Sequence, residues 1–375
     1  MKVLIVHPQM AMYGGAEIVI VKLARYLQEH HHEATILTLT TANYKDYDGL
    51  DIIVPSLPEE RIQWRPRDGS IRTLHELYQI YEGLKHIVRE RVNGYAVINT
   101  HNFPALWAVP NNKPVVHMCN EVPDLWHNQK IPRFINPFLN IGRYGDRVIS
   151  NRKKPLVVVA DKRMWKIFEH RYGYCPEIVH YGIDSNFWNC EKSLQDFTVI
   201  VPSMVTPSKR QLEILQAVNA LKKHIPSLKV IFAGYKSQTI YSVLLDEYIW
   251  DNSLNDIVSF TGMISREQLR GLYSKASLAI LSGSGQGSWL GGFESIATGT
   301  PVIISPNLTC SELVQSEQLG IVSDNYVESI KEVYLHQEHY RKQVKWQKEW
   351  VKRNLTWDNY CKSIMQYMEM KIEYF

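Results

Sequence analysis

The chain has 375 residues, 45% of them hydrophobic and 21% charged, which is enough apolar material for two ordinary cores and too much for a disordered chain. A formal net charge of +4 suits a phosphorylated substrate or an anionic surface and argues against a nucleic-acid partner. The five cysteines, at 119, 175, 190, 310 and 361, are far apart and lack Cys-x-x-Cys spacing, so neither a disulfide framework nor a zinc site is indicated.

Taken in chain order, residues 1–6 are predicted as a first strand. Ile18, Val21, Leu23, Ala24 and Leu27 recur at helical spacing and predict a helix over about 17–30. Strands follow at 34–39, 52–54, 95–100, 114–117 and 156–160, with a helix over about 73–92. The polar stretch 189–196 is the linker candidate, dividing an amino-terminal domain of residues 1–188 from a second domain of 196–356. The second series has strands at 197–201, 228–233, 257–260, 278–281 and 302–303, with helices near 210–224 and 266–275. Alternating strands and helices make parallel sheets covered on both faces, so the expected class is α/β. The amino terminus offers only Val3-Leu4-Ile5-Val6 before His7-Pro8, too short for a signal-peptide core. No run approaches the ~18 apolar residues of a spanning helix, and a cytoplasmic home is expected.

The densest chemical signal lies at 280–303. Gly283, Gly285, Gly287, Gly291 and Gly292 fall between an apolar strand and a short helix that the pattern starts near Gly292. Such a loop lets backbone approach a ligand, and the helix amides point partial positive charge at an anion. Glu294, placed in the first turn, can accept two hydrogen bonds from vicinal hydroxyls such as those of a ribose. Gly299 and Pro301 stop the helix. An ordinary turn with linker glycine is the competing reading.

Further candidates sit at other strand ends. Gly14-Gly15-Ala16-Glu17 opens the first helix beside the first strand. The segment 7–20 lacks Gly-x-Gly-x-x-Gly, which disfavours a nicotinamide enzyme. Lys209 and Arg210 follow the first strand of the second half, where a cation can neutralise a diphosphate or simply be solvated. Strand ends in the first half carry His101 and Asn102, then His117, Asn120 and Glu121. Residues 130–154 hold Lys130, Arg133, Arg143, Arg147, Arg152, Lys153 and Lys154 against Asp146 alone, interleaved with Phe134, Phe138, Leu139 and Ile141. That pattern fits either a solvated face or peripheral contact with anionic lipid.

Together these segments resemble family 4 of the retaining glycosyltransferases, which have the GT-B fold of two Rossmann-like doubly wound domains facing a cleft. The resemblance is most specific over 293–303 and extends to 177–184, where the chain passes between domains, and to 354–360, the start of a final helix (357–375) that crosses back onto the first domain. It implies that Glu294 holds the donor ribose and Lys209 the departing diphosphate. Gln286, Gly287, Ser288, Trp289, Leu290 and Gly15 are implied on the donor. Gly14, Asn102, Asn120 and Glu121 are implied on the acceptor side, with His101 orienting sugar hydroxyls. There are two departures. Gln286 stands where the family has a glutamate, keeping size and one acceptor oxygen while losing the charge. Met204 stands five residues before Lys209, where the family usually has arginine, leaving Arg210 as the second cation.

The implied activity is transfer of a sugar from a nucleoside-diphosphate sugar to a hydroxyl, on a glycan or lipid-linked acceptor, without cofactor or metal. Two rivals stand: a non-catalytic nucleotide-sugar-binding partner of another transferase, and a nucleotide-sugar epimerase on the same fold.

Overall fold

The computed structural model describes residues 1–11, 14–55, 74–120, 122, 136–193, 196–283 and 289–375. They form two compact units, Met1–Tyr181 with Trp357–Phe375, and Gly182–Thr356.

The first unit is built on a parallel sheet of β1 (Lys2–Val6), β2 (Glu33–Leu37), β3 (Asp51–Ile53), β4 (Val97–His101), β5 (Val115–Met118), β6 (Leu156–Val159) and β7 (Glu177–Ile178). Their order is β3-β2-β1-β4-β5-β6-β7. Helices α1 (Gly15–Glu29), α2 (Leu74–Arg91), α3 (Ala105–Ala108), α4 (Asn136–Arg152) and α5 (Lys162–Tyr172) connect the strands. Val3 to Val6 are buried without alternation because helices cover both faces. Ile80, Leu84, Ile87 and Val88 of α2 pack with Leu4, Val6, Leu37 and Ile98, and each such side chain contributes roughly 1.5–3 kcal/mol when fully buried. The start of α5 is set by Asp161, which accepts the Met164 N–H at 2.8 Å, and its end by Gly173 in the left-handed conformation.

Part of the basic segment is interior. Asp146 on α4 is buried and accepts from Trp107 Nε1 at 2.9 Å, Tyr172 Oη at 2.7 Å and Ser150 Oγ at 3.3 Å. Lys153 is buried too, its ammonium donating to the Val109 carbonyl, and burial lowers its pKa to about 8. The reading of Lys153 as surface charge is corrected: its aliphatic stem and donor are used inside the fold. Lys130, Arg133 and Phe134 lie outside the described residues.

The second unit repeats the plan with β8 (Phe197–Val201), β9 (Leu228–Phe232), β10 (Val258–Phe260), β11 (Leu278–Leu281), β12 (Val302–Ile304) and β13 (Ile321–Val322), ordered β10-β9-β8-β11-β12-β13. Its helices are α6 (Ser185–Trp188), α7 (Gln211–Leu221), α8 (Ile240–Asp251), α9 (Arg266–Lys275), α10 (Trp289–Ala297), α11 (Ser311–Ser316), α12 (Tyr326–Leu335) and α13 (Gln337–Asn354). The last helix, α14 (Trp357–Glu373), belongs to the first unit, where Ile364 and Met368 are buried.

The chain passes between units at Tyr181–Gly182, and the polar stretch 189–196 is not the crossover. Lys192 ties that stretch down, donating to the carbonyls of Tyr273 at 2.6 Å and Ala276 at 2.8 Å and to Thr300 Oγ1 at 2.7 Å. Just before it, Trp188 is buried with its ring 5.8 Å from that of Tyr273. Asn189, Glu191, Ser193 and Asp196 are exposed, as a linker would be, but the lysine among them finds three acceptors that only the fold assembles; Leu194 and Gln195 lie outside the described residues.

Candidate functional site

Each sheet reverses its order beside its first strand, so that β1 has β2 on one side and β4 on the other, and β8 has β9 and β11. Connections diverge at such a point, and open α/β sheets bind ligands outside the carboxyl ends of these strands. Predicted residues that are described, Lys209 and Gly283 in one unit and Gly14, His101 and Asn102 in the other, lie at or after such strand ends.

In the second unit, β8 leads into a single 3₁₀ turn, Pro207–Lys209, and β11 into Ser282 and Gly283. Ser282 Oγ donates to the Lys209 carbonyl. Gly283 has φ 113°, and a Cβ there would lie 2.6 Å from the Ser208 carbonyl oxygen and 3.2 Å from Lys209 Cα. Only glycine allows these strand ends to touch. Lys209, half-buried, is thereby held where the glycine loop begins. Arg210 is turned elsewhere. It sits at φ 54° and its guanidinium pairs with Glu213 at 2.6 Å and Asp324 at 3.2 Å, so its charge is already met by two carboxylates. Met204 is 40% exposed and supplies no charge.

Among the described residues α10 is already helical at Trp289 and does not begin near Gly292, which places Glu294 beyond the first turn. The reason is packing. Trp289 and Leu290 are buried, the Trp289 ring 4.4 Å from Phe293, so an apolar pair anchors the first turn. Gly291 and Gly292 are helical, and a Cβ on Gly292 would stand 3.2 Å from Ile304 Cδ1. Gly292 thus serves close approach of helix to sheet, whereas a Cβ on Gly291 would make only ordinary contacts, 3.5 Å from Leu281 Cδ2. The side chains of Trp289 and Leu290 face the core, leaving their backbone as what they can offer a donor. Gly299 stops the helix at φ 80°, as its position predicted.

Glu294 is 8% exposed, and its carboxyl is pushed up to about 7, chiefly by burial. The charge of Arg266 opposes that rise and the charge of Asp184 adds to it. The Trp188 indole N–H also favours the ionised form, although its nitrogen meets no hydrogen-bond geometry. Arg266 lies over the rings of Phe187, at 4.7 Å, and Trp188, at 5.3 Å. None of Asp184, Trp188 and Arg266 carries a local signal of this role, because they reach Glu294 from α6 and α9.

In the first unit, Gly14 precedes α1 and Gly15 begins it. Glu17, in the first turn, accepts the Gly14 N–H at 3.0 Å and pairs with His7 Nε2 at 3.2 Å. His101 at the end of β4 is fully buried, its Nε2 2.7 Å from Asn99 Oδ1 and its ring edge-on to that of His7 at 6.4 Å. Burial holds the His101 pKa well below the usual imidazole value, and the charges of His7 and His117 act the same way. His117 contacts Thr100 Oγ1 at 2.8 Å and is lowered by burial to about 4. Asn120 donates to Asn102 Oδ1 at 2.7 Å and accepts from Tyr181 Oη at 2.7 Å. The fold thus joins Gly14 to His7 through Glu17, brings His101 beside His7, and joins Asn102 to Asn120. His7, Glu17, Asn99 and Tyr181 were not singled out as site residues, although the Gly-Gly-x-Glu motif contains the second of them. Gln286, Gly287, Ser288 and Glu121 lie outside the described residues. Among the described residues no three His, Cys, Asp or Glu gather as a metal site, and no helix is long and apolar enough to cross a membrane.

Comparison with known proteins bears on this arrangement. Residues 13–187 match the model of Glycosyltransferase Family 4 and residues 183–350 that of Glycosyl transferases group 1. No protein of curated function matches the sequence. Among solved structures, HepE of Anabaena, in complex with UDP and glucose, is 14% identical over 99% of this chain and 100% of its own, with a TM-score of 0.76. Sucrose-phosphate synthase from Thermosynechococcus elongatus is 15% identical over 100% of both chains, with a TM-score of 0.75. WaaG, a glycosyltransferase involved in lipopolysaccharide biosynthesis, is 12% identical over 96% of this chain and 98% of its own, with a TM-score of 0.72. The two parallel sheets are therefore the Rossmann-like domains of a GT-B fold. With its two halves matching successive family models over residues 13–350, the chain belongs to glycosyltransferase family 4 and is a glycosyltransferase.

Proposed function

We propose that the enzyme moves a sugar from a nucleoside-diphosphate sugar to a hydroxyl of a glycan or lipid-linked acceptor, with retention at the anomeric carbon. The observation that carries this reading is the meeting of Lys209 with the Gly283 turn at the carboxyl ends of β8 and β11, followed by the helix bearing buried Glu294. A phosphate-sized anion beside an ammonium and helix amides is well placed there. Glu294, once ionised, accepts hydrogen bonds from the two ribose hydroxyls.

In the reaction the bond from the anomeric carbon to the diphosphate oxygen breaks, and Lys209 neutralises the charge that develops on the leaving group. The acceptor oxygen attacks from the same face while its proton passes to a departing phosphate oxygen, which yields retention without a protein nucleophile. His101 and Asn102 line the first unit's strand end, where the acceptor or the transferred sugar is oriented. That HepE was solved with UDP and with glucose makes a uridine nucleotide the first donor to try. Peripheral contact with anionic lipid rests on the exposed part of the basic segment, Arg147, Arg152 and Lys154, and co-sedimentation with anionic vesicles tests it.

The deciding experiment is a thermal-shift titration of wild type and Glu294→Ala with UDP, GDP, ADP and TDP and their common sugar conjugates. Stabilisation by one nucleotide, lost in the variant, supports the donor site. No stabilisation by any of them overturns it. Product analysis with acceptor present then separates transfer from epimerisation of the free donor and from binding without turnover.

A further inference from the structure

We propose that Asn99 is a positioning residue that fixes the tautomer of His101, so that its imidazole presents a lone pair at Nδ1 and takes a hydrogen bond from a sugar hydroxyl. The ligand named here rests on the transferase reading; the tautomer does not.

Asn99 and His101 are two residues apart on β4 and so share a face of the strand. Asn99 is paired in register with Val116 of β5, and its Nδ2 lies 3.0 Å from the Val116 carbonyl oxygen. A carbonyl only accepts, so the amide NH₂ must face β5 and the amide oxygen must face the other way. That oxygen stands 2.7 Å from His101 Nε2. An amide oxygen also only accepts, so the ring hydrogen is on Nε2. In a neutral imidazole the second nitrogen is then bare.

The surroundings keep the ring neutral. His101 has no exposed surface, and the groups facing it are His7, just after β1, and His117 from β5, whose positive charges would oppose a second proton. Glu17 of α1 is spent on other donors, accepting from Gly14 N–H and His7 Nε2. His101 Nδ1 is left buried without a partner, as is His7 Nδ1. A buried acceptor with no donor is destabilising until one arrives. A hydroxyl can supply that hydrogen. A phosphate, offering oxygen lone pairs, would meet another lone pair. The chemical class selected beside His101 is therefore a neutral hydroxyl compound, which separates it from the cationic diphosphate end at Lys209.

The test uses the full chain with ¹⁵N-labelled histidine, His101 being assigned by the signals lost in His101→Gln. In ligand-free wild type, Nε2 is expected at the protonated type of ¹⁵N shift and Nδ1 at the bare type, unchanged between about pH 5.5 and 8.5, where an ordinary histidine titrates. Asn99→Leu should mix the tautomers and Asn99→Asp, which keeps an acceptor, should restore Nε2–H. In sugar transfer Asn99→Leu should lose about 10-fold or more in kcat/KM, the scale set by hydrogen-bond partners that orient metal-ligating histidines, with thermal stabilisation by free nucleotide unchanged and partial recovery in Asn99→Asp. A bare Nε2, or a His101 that titrates normally in wild type, overturns the proposal. So does an Asn99→Leu variant with mixed tautomers and unchanged kcat/KM. Absence of turnover with every donor sinks the transferase reading instead, and the ligand-free spectrum still reads the tautomer.

Discussion

At the carboxyl edge of the first sheet, side chains hold one another and nearby backbone: Glu17 bonds His7 and the Gly14 N–H, Asn99 bonds His101 and the Val116 carbonyl, and Tyr181 bonds Asn120, which bonds Asn102. At the same edge of the second sheet, the site rests on backbone closeness, with Gly283 against Ser208 and Lys209. The two edges share a topology and divide the chemistry. On the proposed reading, the interlocked side chains of the first edge set hydroxyl direction, where a wrong tautomer is costly. On the same reading, the glycine turn and cation of the second edge receive a diphosphate, whose charge needs proximity more than direction. Substitutions should therefore cost turnover or nucleotide binding in the second unit, and stability or sugar discrimination in the first.

The largest expected effect is that of Lys209→Ala, which should lower kcat about 100- to 1000-fold, the range for removing one group that stabilises developing charge. Its melting temperature should move little, since the side chain is only half-buried. If stability falls in step with activity, the division of labour fails.

Asp146→Ala should do the reverse. It leaves Trp107 Nε1, Tyr172 Oη and Ser150 Oγ without their acceptor, a stability loss of about 3 kcal/mol by denaturant unfolding, with the nucleotide affinity of the second unit unchanged.

Glu294 sharpens the contrast through pH. Burial raises its pKa from 4.5 to about 7, so the folded state holds its proton more tightly than the unfolded chain does. Folded stability from this group is therefore fully present below pH 4.5 and is lost as pH rises toward about 7. Ribose binding needs the carboxylate and runs the other way. Between about pH 8 and pH 6 the ionised fraction falls roughly tenfold, and nucleotide Kd by calorimetry should weaken by nearly that factor. Glu294→Gln should bind weakly at both values, with the slope abolished. A wild-type Kd flat over this range would remove Glu294 from the ribose.

The smallest effect is expected from Asp324→Ala. It removes one of two carboxylates holding a part-exposed Arg210, an ion pair of about 0.5 kcal/mol, and should tighten nucleotide binding no more than about twofold. A tenfold gain would show that Arg210 is held away from the phosphates by that pair.

What could be read in the sequence follows from what is local. β8, β11 and α9 have the predicted bounds because an apolar run flanked by polar residues, or a Ser265 cap answered by Gln268, settles its own ends. β7 and β13 have two residues each and exist only through their neighbours in the ladder, so no pattern announces them. Helices α4, α5, α8, α12 and α13 were not marked either. In α8 the reason is plain: Ile240, Val243, Leu244 and Trp250 are exposed opposite buried Leu245 and Ile249, which erases the periodicity.

The sequence by itself determined the class of fold, the family, the strand-end positions of Lys209 and His101 and the place of Glu294 on the helix after the glycine loop, because strand ends and glycine turns are written in neighbouring residues. The tertiary structure alone decided that Arg210 pairs with Asp324, that Arg266 and Asp184 set the charge around Glu294, and that Asn99 orients His101. Those pairings join strands and helices far apart along the chain, and a hydrogen bond or a pKa depends on distance and burial, which no local pattern specifies.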